Sequence, residues 1–253
     1  MDIKTIVNKN GYSKLQHNQK IPYNIIQTFE TRDVPISMWL NSTKWTSLNP
    51  EYNYLFFDAN DRIRYVTEYD FTELNISKSN FKKAYNKIKP GAGKADLFRL
   101  LIIYEIGGCY VDIDTSPLVP LNQIIKSNDE VVSGIGGRGD FHQWCLIYIK
   151  KHPFIRKTLE IAVNNILNET FINNKKSMEW LCGPPALDLG IKSVLGYETN
   201  YKFKPGNYLV NNISYRLLLG DYLNHHIEFK QKEYKDTLKI LGVKHWGKDD
   251  IFN

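Results

Sequence analysis

Cysteine is scarce: three residues in 253, Cys109, Cys145 and Cys182, an odd number with no CxxC spacing. That pattern suggests neither a disulfide framework nor a zinc site, and a reducing, cytoplasmic setting is expected. Long hydrophobic runs are also missing. No uncharged apolar stretch approaches the ~18 residues that suggest a membrane span, and the opening MDIKTIVNKNGYSKLQHNQK lacks a signal peptide's apolar centre. Charge is never gathered into a block of one sign. The 33 Lys and Arg against 27 Asp and Glu leave +6, spread along the chain. Nucleic acid is therefore not demanded as a partner; a solvated Lys-rich surface explains the excess as well as attraction to an anionic nucleotide or a peripheral membrane contact does. Internal repeats and low-complexity tracts are absent.

A phosphate-cradling P-loop is absent too. Gly134, Gly136, Gly137 and Gly139 lack the Lys-Ser/Thr ending such a loop needs, which weighs against a phosphoryl-transfer or nucleotide-hydrolysing enzyme. What the chain does have is 42% hydrophobic residues and 13% aromatics, enough for a full core in one large domain. The aromatics suit a packed interior and the binding of sugars or bases equally well.

Strands and helices alternate along the chain. IPYNIIQTF, behind a polar segment over residues 1–20, is enriched for a strand. Helical spacing follows from Pro35 to Leu48, stopped by Asn49-Pro50, and YNYLFFDAND reads as a second strand. The apolar run Lys94 to Ile106 predicts a helix ended by Gly107 and Gly108. CYVDIDTSPLVPL then alternates as a strand, which would set Tyr110, Asp112 and Asp114 on one side. VVSGIG predicts another strand, Pro153 to Leu167 a helix, and Gly183-Pro184-Pro185 a loop entering a helix at Ala186. Such alternation implies an α/β fold with a mostly parallel sheet, whose ligands gather at strand carboxyl ends.

Two carboxylates one residue apart can face one oxygen-rich cavity, as a hard cation such as Mn2+ or Mg2+ requires. A DxD triplet arises by chance about once in a chain of this length, so specificity must come from its setting. Here a buried helix, a Gly-Gly stop and an apolar strand deliver Asp112 and Asp114 to the cleft edge; the plainer alternative is a turn cap or a pairing with Lys. Asp96 and Arg99 lie three apart on an otherwise apolar helix. They pair with each other, or they engage a sugar hydroxyl and a diphosphate.

The run KADLFRLLIIYEIGGCYVDIDTSPL resembles, from Ala95 to Pro117, the DxD sugar-binding signature of glycosyltransferase family 32, with weaker echoes from Ile21 to Trp246. IPYNIIQTF resembles the family's opening strand, keeping Gln27 and Thr28 but carrying Ile26 and Phe29 where histidine and tryptophan are usual. LCGPPALDLGIKSVL resembles its GP loop, and KHWGKDD its C-terminal segment.

The resemblance implies a GT-A fold, a Rossmann-like α/β sandwich, over residues 21–253, with a nucleotide-sugar half (21–118) and an acceptor-side half (119–253). It also implies a nucleotide-diphosphate sugar donor, a UDP-sugar first and GDP-mannose next, and transfer with retention. A glycan, a lipid-linked sugar, a protein side chain and a small polyol all remain open as acceptors. Gln27, Thr28 and Phe29 would lie under the base, with Phe29 equally suited to the core, and Asp112 would share the metal or hold the ribose. His245 would join Asp112 and Asp114 at the metal, with Trp246 and Lys248 over the diphosphate. Departures at Ile26 and Phe29 leave open a non-catalytic binding module of the same fold. Donor base, acceptor and oligomeric state are not legible.

Overall fold

The computed structural model describes residues 19–136, 139–220, 223, 225–229, 235–236 and 250–252. The first unit is strand β1 (Asn24–Thr28), helix α1 (Ile36–Leu48) and strand β2 (Asn53–Phe57). Two further helices, α2 (Ala59–Glu68) and α3 (Lys78–Lys87), lead to the long α4 (Gly91–Ile106). Strand β3 (Gly108–Val111) follows α4 directly, and a short strand, β4 (Thr115–Pro117), comes next. The remainder is β5 (Val131–Ile135), β6 (Cys145–Tyr148), α5 (Pro153–Leu167), α6 (Glu179–Cys182), α7 (Pro184–Leu195), β7 (Gly206–Val210), β8 (Ile213–Leu219) and β9 (Ile227–Phe229).

Seven strands form one sheet in the order β2-β1-β3-β6-β5-β8-β7, while β4 and β9 pair separately. β2, β1, β3, β5 and β8 run one way, and β6 and β7 run against them. This is the mostly parallel, mixed sheet expected from the alternation. Strands from both sequence halves are contiguous in it, because β6 seats directly on β3.

The sheet separates two apolar clusters. One contains much of α3, α4, α5 and α7, the other Trp45 of α1 with Cys109, Val111 and Ile113. In α4, Leu97, Phe98 and the run from Leu100 to Ile103 are all at most 1% exposed. A helix apolar on every face has to be interior, and each such side chain contributes roughly 1.5–3 kcal/mol by leaving water.

The junction from α4 into β3 depends on two glycines. Gly107 has φ 64° and Gly108 φ 115°, and a Cβ on either would lie 2.6 Å from backbone, Lys150 N or Asn24 O. Any other residue there would strain the turn and push β3 off β1.

The structure moves three of the expected boundaries. α4 begins at Gly91, behind Pro90, so the glycines before Lys94 form its first turn. α7 begins at Pro184, because proline lacks only a donor that a helix's first turn leaves unused anyway. β3 ends at Val111: Asp112 to Thr115 is a turn closed by Thr115 N donating to Asp112 O at 3.0 Å, so strand alternation does not carry both carboxylates.

Candidate functional site

Asp112 and Asp114 leave the sheet at the carboxyl end of β3, between β1 and β6. The Asp112 backbone is fastened on three sides. Its N–H donates to Trp144 O at 2.9 Å, and its carbonyl accepts from Thr115 Oγ1 at 2.6 Å and Gln27 Nε2 at 3.2 Å.

The carboxylates collect around one guanidinium from α4. Arg99 Nη2 lies 3.1 Å from Asp96 Oδ1 and 3.2 Å from Asp112 Oδ1, and Nη1 donates to Gln143 O at 3.1 Å. The guanidinium sits over the Tyr110 ring, 4.9 Å from its centre, and the Tyr110 hydroxyl donates to Asp112 Oδ1 at 2.8 Å. Asp96 and Arg99 therefore do pair, and the pair extends to Asp112. α6 closes this corner: Gln143 Nε2 donates to Cys182 O at 3.1 Å, and the Cys182 thiol stands 3.9 Å from Asp96 Oδ2.

The charge balance is uneven. Asp96 and Asp112 pair with Arg99, and Asp114 lies close enough to feel the charges of Asp112 and Arg99, so three carboxylates against one guanidinium leave two negative charges uncompensated if all ionise. Burial raises Asp96 to about 6, with Arg99 pulling down and Asp112 pushing up. Burial, then the Asp112 charge, raises Asp114 to about 7. Burial also raises Asp112, against the pull of Arg99 and Tyr110. Burial disfavours the charge on Arg99, but Asp112, Tyr110 and Asp96 more than offset it and its pKa rises.

Arg99 Nε and Gln143 Oε1 are buried with no hydrogen-bond partner. A hard divalent cation fits the oxygen donors and surplus negative charge of this place. Among the described residues no three His, Cys, Asp or Glu side chains converge closely enough to hold a metal unaided. His245, Trp246 and Lys248 lie outside the described residues.

The β1 residues take supporting positions. Gln27 is fully buried, and its Oε1 accepts from Ser42 Oγ and Tyr54 OH at 2.7 Å each, so its side chain is committed inward to the Asp112 turn and not presented to a base. Thr28 is buried likewise, donating to Phe57 O at 2.6 Å and accepting from Arg62 Nη1 at 2.7 Å. Phe29 is half-buried against the α1-side cluster, its carbonyl accepting from Arg62. Sequence reasoning missed Arg62 and Gln143. The only signal was a charged or amide residue beside apolar neighbours, which many surface positions share. All three cysteines are buried free thiols. A hollow of about 530 Å³ is lined by Glu68 to Thr72 and Leu74 to Lys78, none of which belongs to the acidic cluster.

Residues 37–131 match the family described as "Glycosyltransferase sugar-binding region containing DXD motif". The chain is 27% identical over 202 residues to the initiation-specific alpha-1,6-mannosyltransferase of Schizosaccharomyces pombe, covering 71% of this chain and 49% of that protein. It is 28% identical over 123 residues to inositol phosphoceramide mannosyltransferase 3 of the same yeast, covering 45% and 29%. The chain thus spans about half or less of the length of these relatives. Among solved structures it is similar to the PaToxG glycosyltransferase, with a TM-score of 0.53, 20% identity and 70% of each chain covered. The chain carries a glycosyltransferase family 32-like, DXD-containing sugar-binding region on a GT-A fold.

Proposed function

We propose that this protein transfers a hexose from a nucleoside-diphosphate sugar to a hydroxyl acceptor, with retention of configuration. The supporting observation is the buried surplus of carboxylate at Asp96, Asp112 and Asp114 around the single guanidinium of Arg99. Asp112 and Asp114, with His245, are the residues that would hold Mn2+ or Mg2+. Such an ion, when bound, stabilises the negative charge that develops on the departing nucleoside diphosphate.

The chain's own groups supply orientation. Arg99, held by Asp96, Asp112 and the Gln143 carbonyl, keeps one unpartnered N–H for a donor phosphate oxygen. Asp96 accepts sugar hydroxyls from the far side of that guanidinium. Gln27 and Thr28 hold the β1 end and the Asp112 turn in register, and Phe29 offers a partly exposed ring to the base. In this reading Trp246 and Lys248 would cover the diphosphate. The division into a nucleotide-sugar half and an acceptor half falls near residue 118.

For the donor, the mannosyltransferase relatives support a mannosyl nucleotide such as GDP-mannose ahead of the UDP-sugar favoured by sequence alone. The acceptor is a glycan or lipid-linked hydroxyl. No helix of the described residues is long and apolar enough to cross a membrane.

The test is donor hydrolysis and thermal shift with UDP-, GDP- and CMP-sugars, each with and without Mn2+, since a ligand that binds the folded state raises its apparent stability. Metal-dependent stabilisation and hydrolysis by one donor class are expected. Binding without hydrolysis of any donor would instead indicate a non-catalytic module.

A further inference from the structure

Three rings form a ladder against the Asp112–Asp114 turn and take no part in the charge cluster. The His142 and Trp144 rings are 5.6 Å apart at 31°, and Trp144 stacks on Phe229 at 5.3 Å and 15°. Most rings near the site are interior: Tyr54, Tyr110, Phe141 and Tyr148 are all nearly inaccessible. Trp144 and Phe229 are only half-buried.

The ladder is tied to the turn from both sides by main chain. Trp144 O accepts from Asp112 N at 2.9 Å, and Phe229 pairs with Thr115 in the β4–β9 ribbon. His142 is clamped as well. A Cβ added at Gly134 would lie 2.9 Å from its Nδ1, and one at Gly220 2.7 Å from its Cε1, so these glycines leave room for this one ring position. His142 Nδ1 is buried without a partner.

Trp144 stands between His142 and Phe229 in this ladder, so the ring at its end, the half-buried Phe229, is the one with a face for a ligand, and a fixed aromatic face beside an acidic turn matches one ligand chemistry well. A pyranose has a face of C–H groups that stacks on a ring and a rim of hydroxyls that needs acceptors. Stacking adds to simple area burial, and rings locked in advance lose little entropy on binding.

We propose that Phe229, backed by Trp144 and His142, is the platform on which the acceptor's hexopyranose ring stacks, presenting its hydroxyl at the Asp112–Asp114 turn. This rests on the reading of the chain as a sugar transferase. Phe229 is then an acceptor-binding residue and Trp144 a positioning residue behind it, both distinct from the Arg99 cluster that faces the donor.

The experiment titrates a mannose disaccharide into the whole chain with Mn2+ and GDP by calorimetry, then measures turnover. Phe229→Ala is expected to weaken disaccharide binding and raise acceptor KM about tenfold, with donor KM moving less than about twofold, while Trp144→Phe, which keeps a ring behind Phe229, stays within about threefold of the parent. Disaccharide affinity equal in parent and Phe229→Ala would overturn the proposal. So would a donor KM rising in step with the acceptor's, or no measurable disaccharide binding by the parent. Donor hydrolysis without acceptor checks the transferase reading separately: ring-dependent saccharide binding without hydrolysis removes that reading and leaves the platform standing.

Discussion

Two buried arginines, Arg99 and Arg216, sit in similar depths of the protein and are balanced differently. Arg216 meets Asp129 through two nitrogens, Nε to Oδ1 at 3.1 Å and Nη2 to Oδ2 at 2.5 Å, and donates again to the Ile124 carbonyl. One cation faces one anion there, and every guanidinium contact is spent on the chain itself. Arg99 is shared by Asp96 and Asp112, lies near Asp114, and retains an unpartnered Nε. A closed pair is a structural brace. A cluster short of positive charge is stable only because protons stay on its carboxylates or because another cation arrives. The difference separates a site that holds the fold from one that waits for a ligand.

The comparison breaks most visibly through activity. Asp114→Asn should abolish metal-dependent transfer, by on the order of 10³-fold in kcat/KM, while leaving thermal stability without metal equal or higher. A large stability loss instead would make Asp114 a brace like Asp129.

The reverse experiment is Asp129→Ala, which strands the Arg216 charge in the interior and should cost about 3–5 kcal/mol in denaturant unfolding. Its effect on donor KM should be small in the fraction that folds.

A pH titration sharpens the contrast. Asp114 and Asp96 are raised to about 7 and about 6 from an ordinary 3.8, so the folded chain holds protons that the unfolded chain has released. The stability that these two carboxyls contribute without metal is therefore full below about pH 4 and is lost as pH rises to about 7, by a few kcal/mol at most. Mn2+ binding should strengthen over the same interval as those protons leave, and Asp114→Asn should flatten both curves. Calorimetry at several pH values with and without Mn2+ reads this directly.

The smallest expected effect concerns the brace under the turn. Gln27→Leu leaves Ser42 Oγ, Tyr54 OH and the Asp112 carbonyl without that partner, which should cost about 1–3 kcal/mol and weaken metal binding modestly. Unchanged stability would mean that water replaces the amide.

The parts legible in the sequence were those set by local chemistry. α5 spans Pro153–Leu167 as its spacing predicted, because proline can start a helix and the apolar period is clear. The helix through Asp96 and Arg99, its Gly-Gly stop and the strand behind it were equally readable, since an all-round apolar helix and a positive-φ exit leave strong marks. The Asp112–Asp114 turn was not. Strand alternation carried on one step too far there, because Thr115 closes a turn that period-two spacing cannot show. Gln27 and Thr28 looked like ligand contacts from their place in a motif. Their burial and their bonds to Ser42, Tyr54, Phe57 and Arg62 depend on elements brought in from elsewhere in the chain.

The sequence by itself determined which residues carry charge into an apolar helix, where the chain must turn on glycine, and that strands alternate with helices. These follow from side-chain volume, polarity and backbone freedom over a few residues. Only the tertiary structure decided that β6 seats on β3 against the prevailing direction, that Asp96 and Asp112 share one guanidinium beside Asp114, and that Trp144 and Phe229 flank the acidic turn. Those outcomes are contacts between segments distant along the chain, and their balance of charge and burial exists only once the sheet has brought them together.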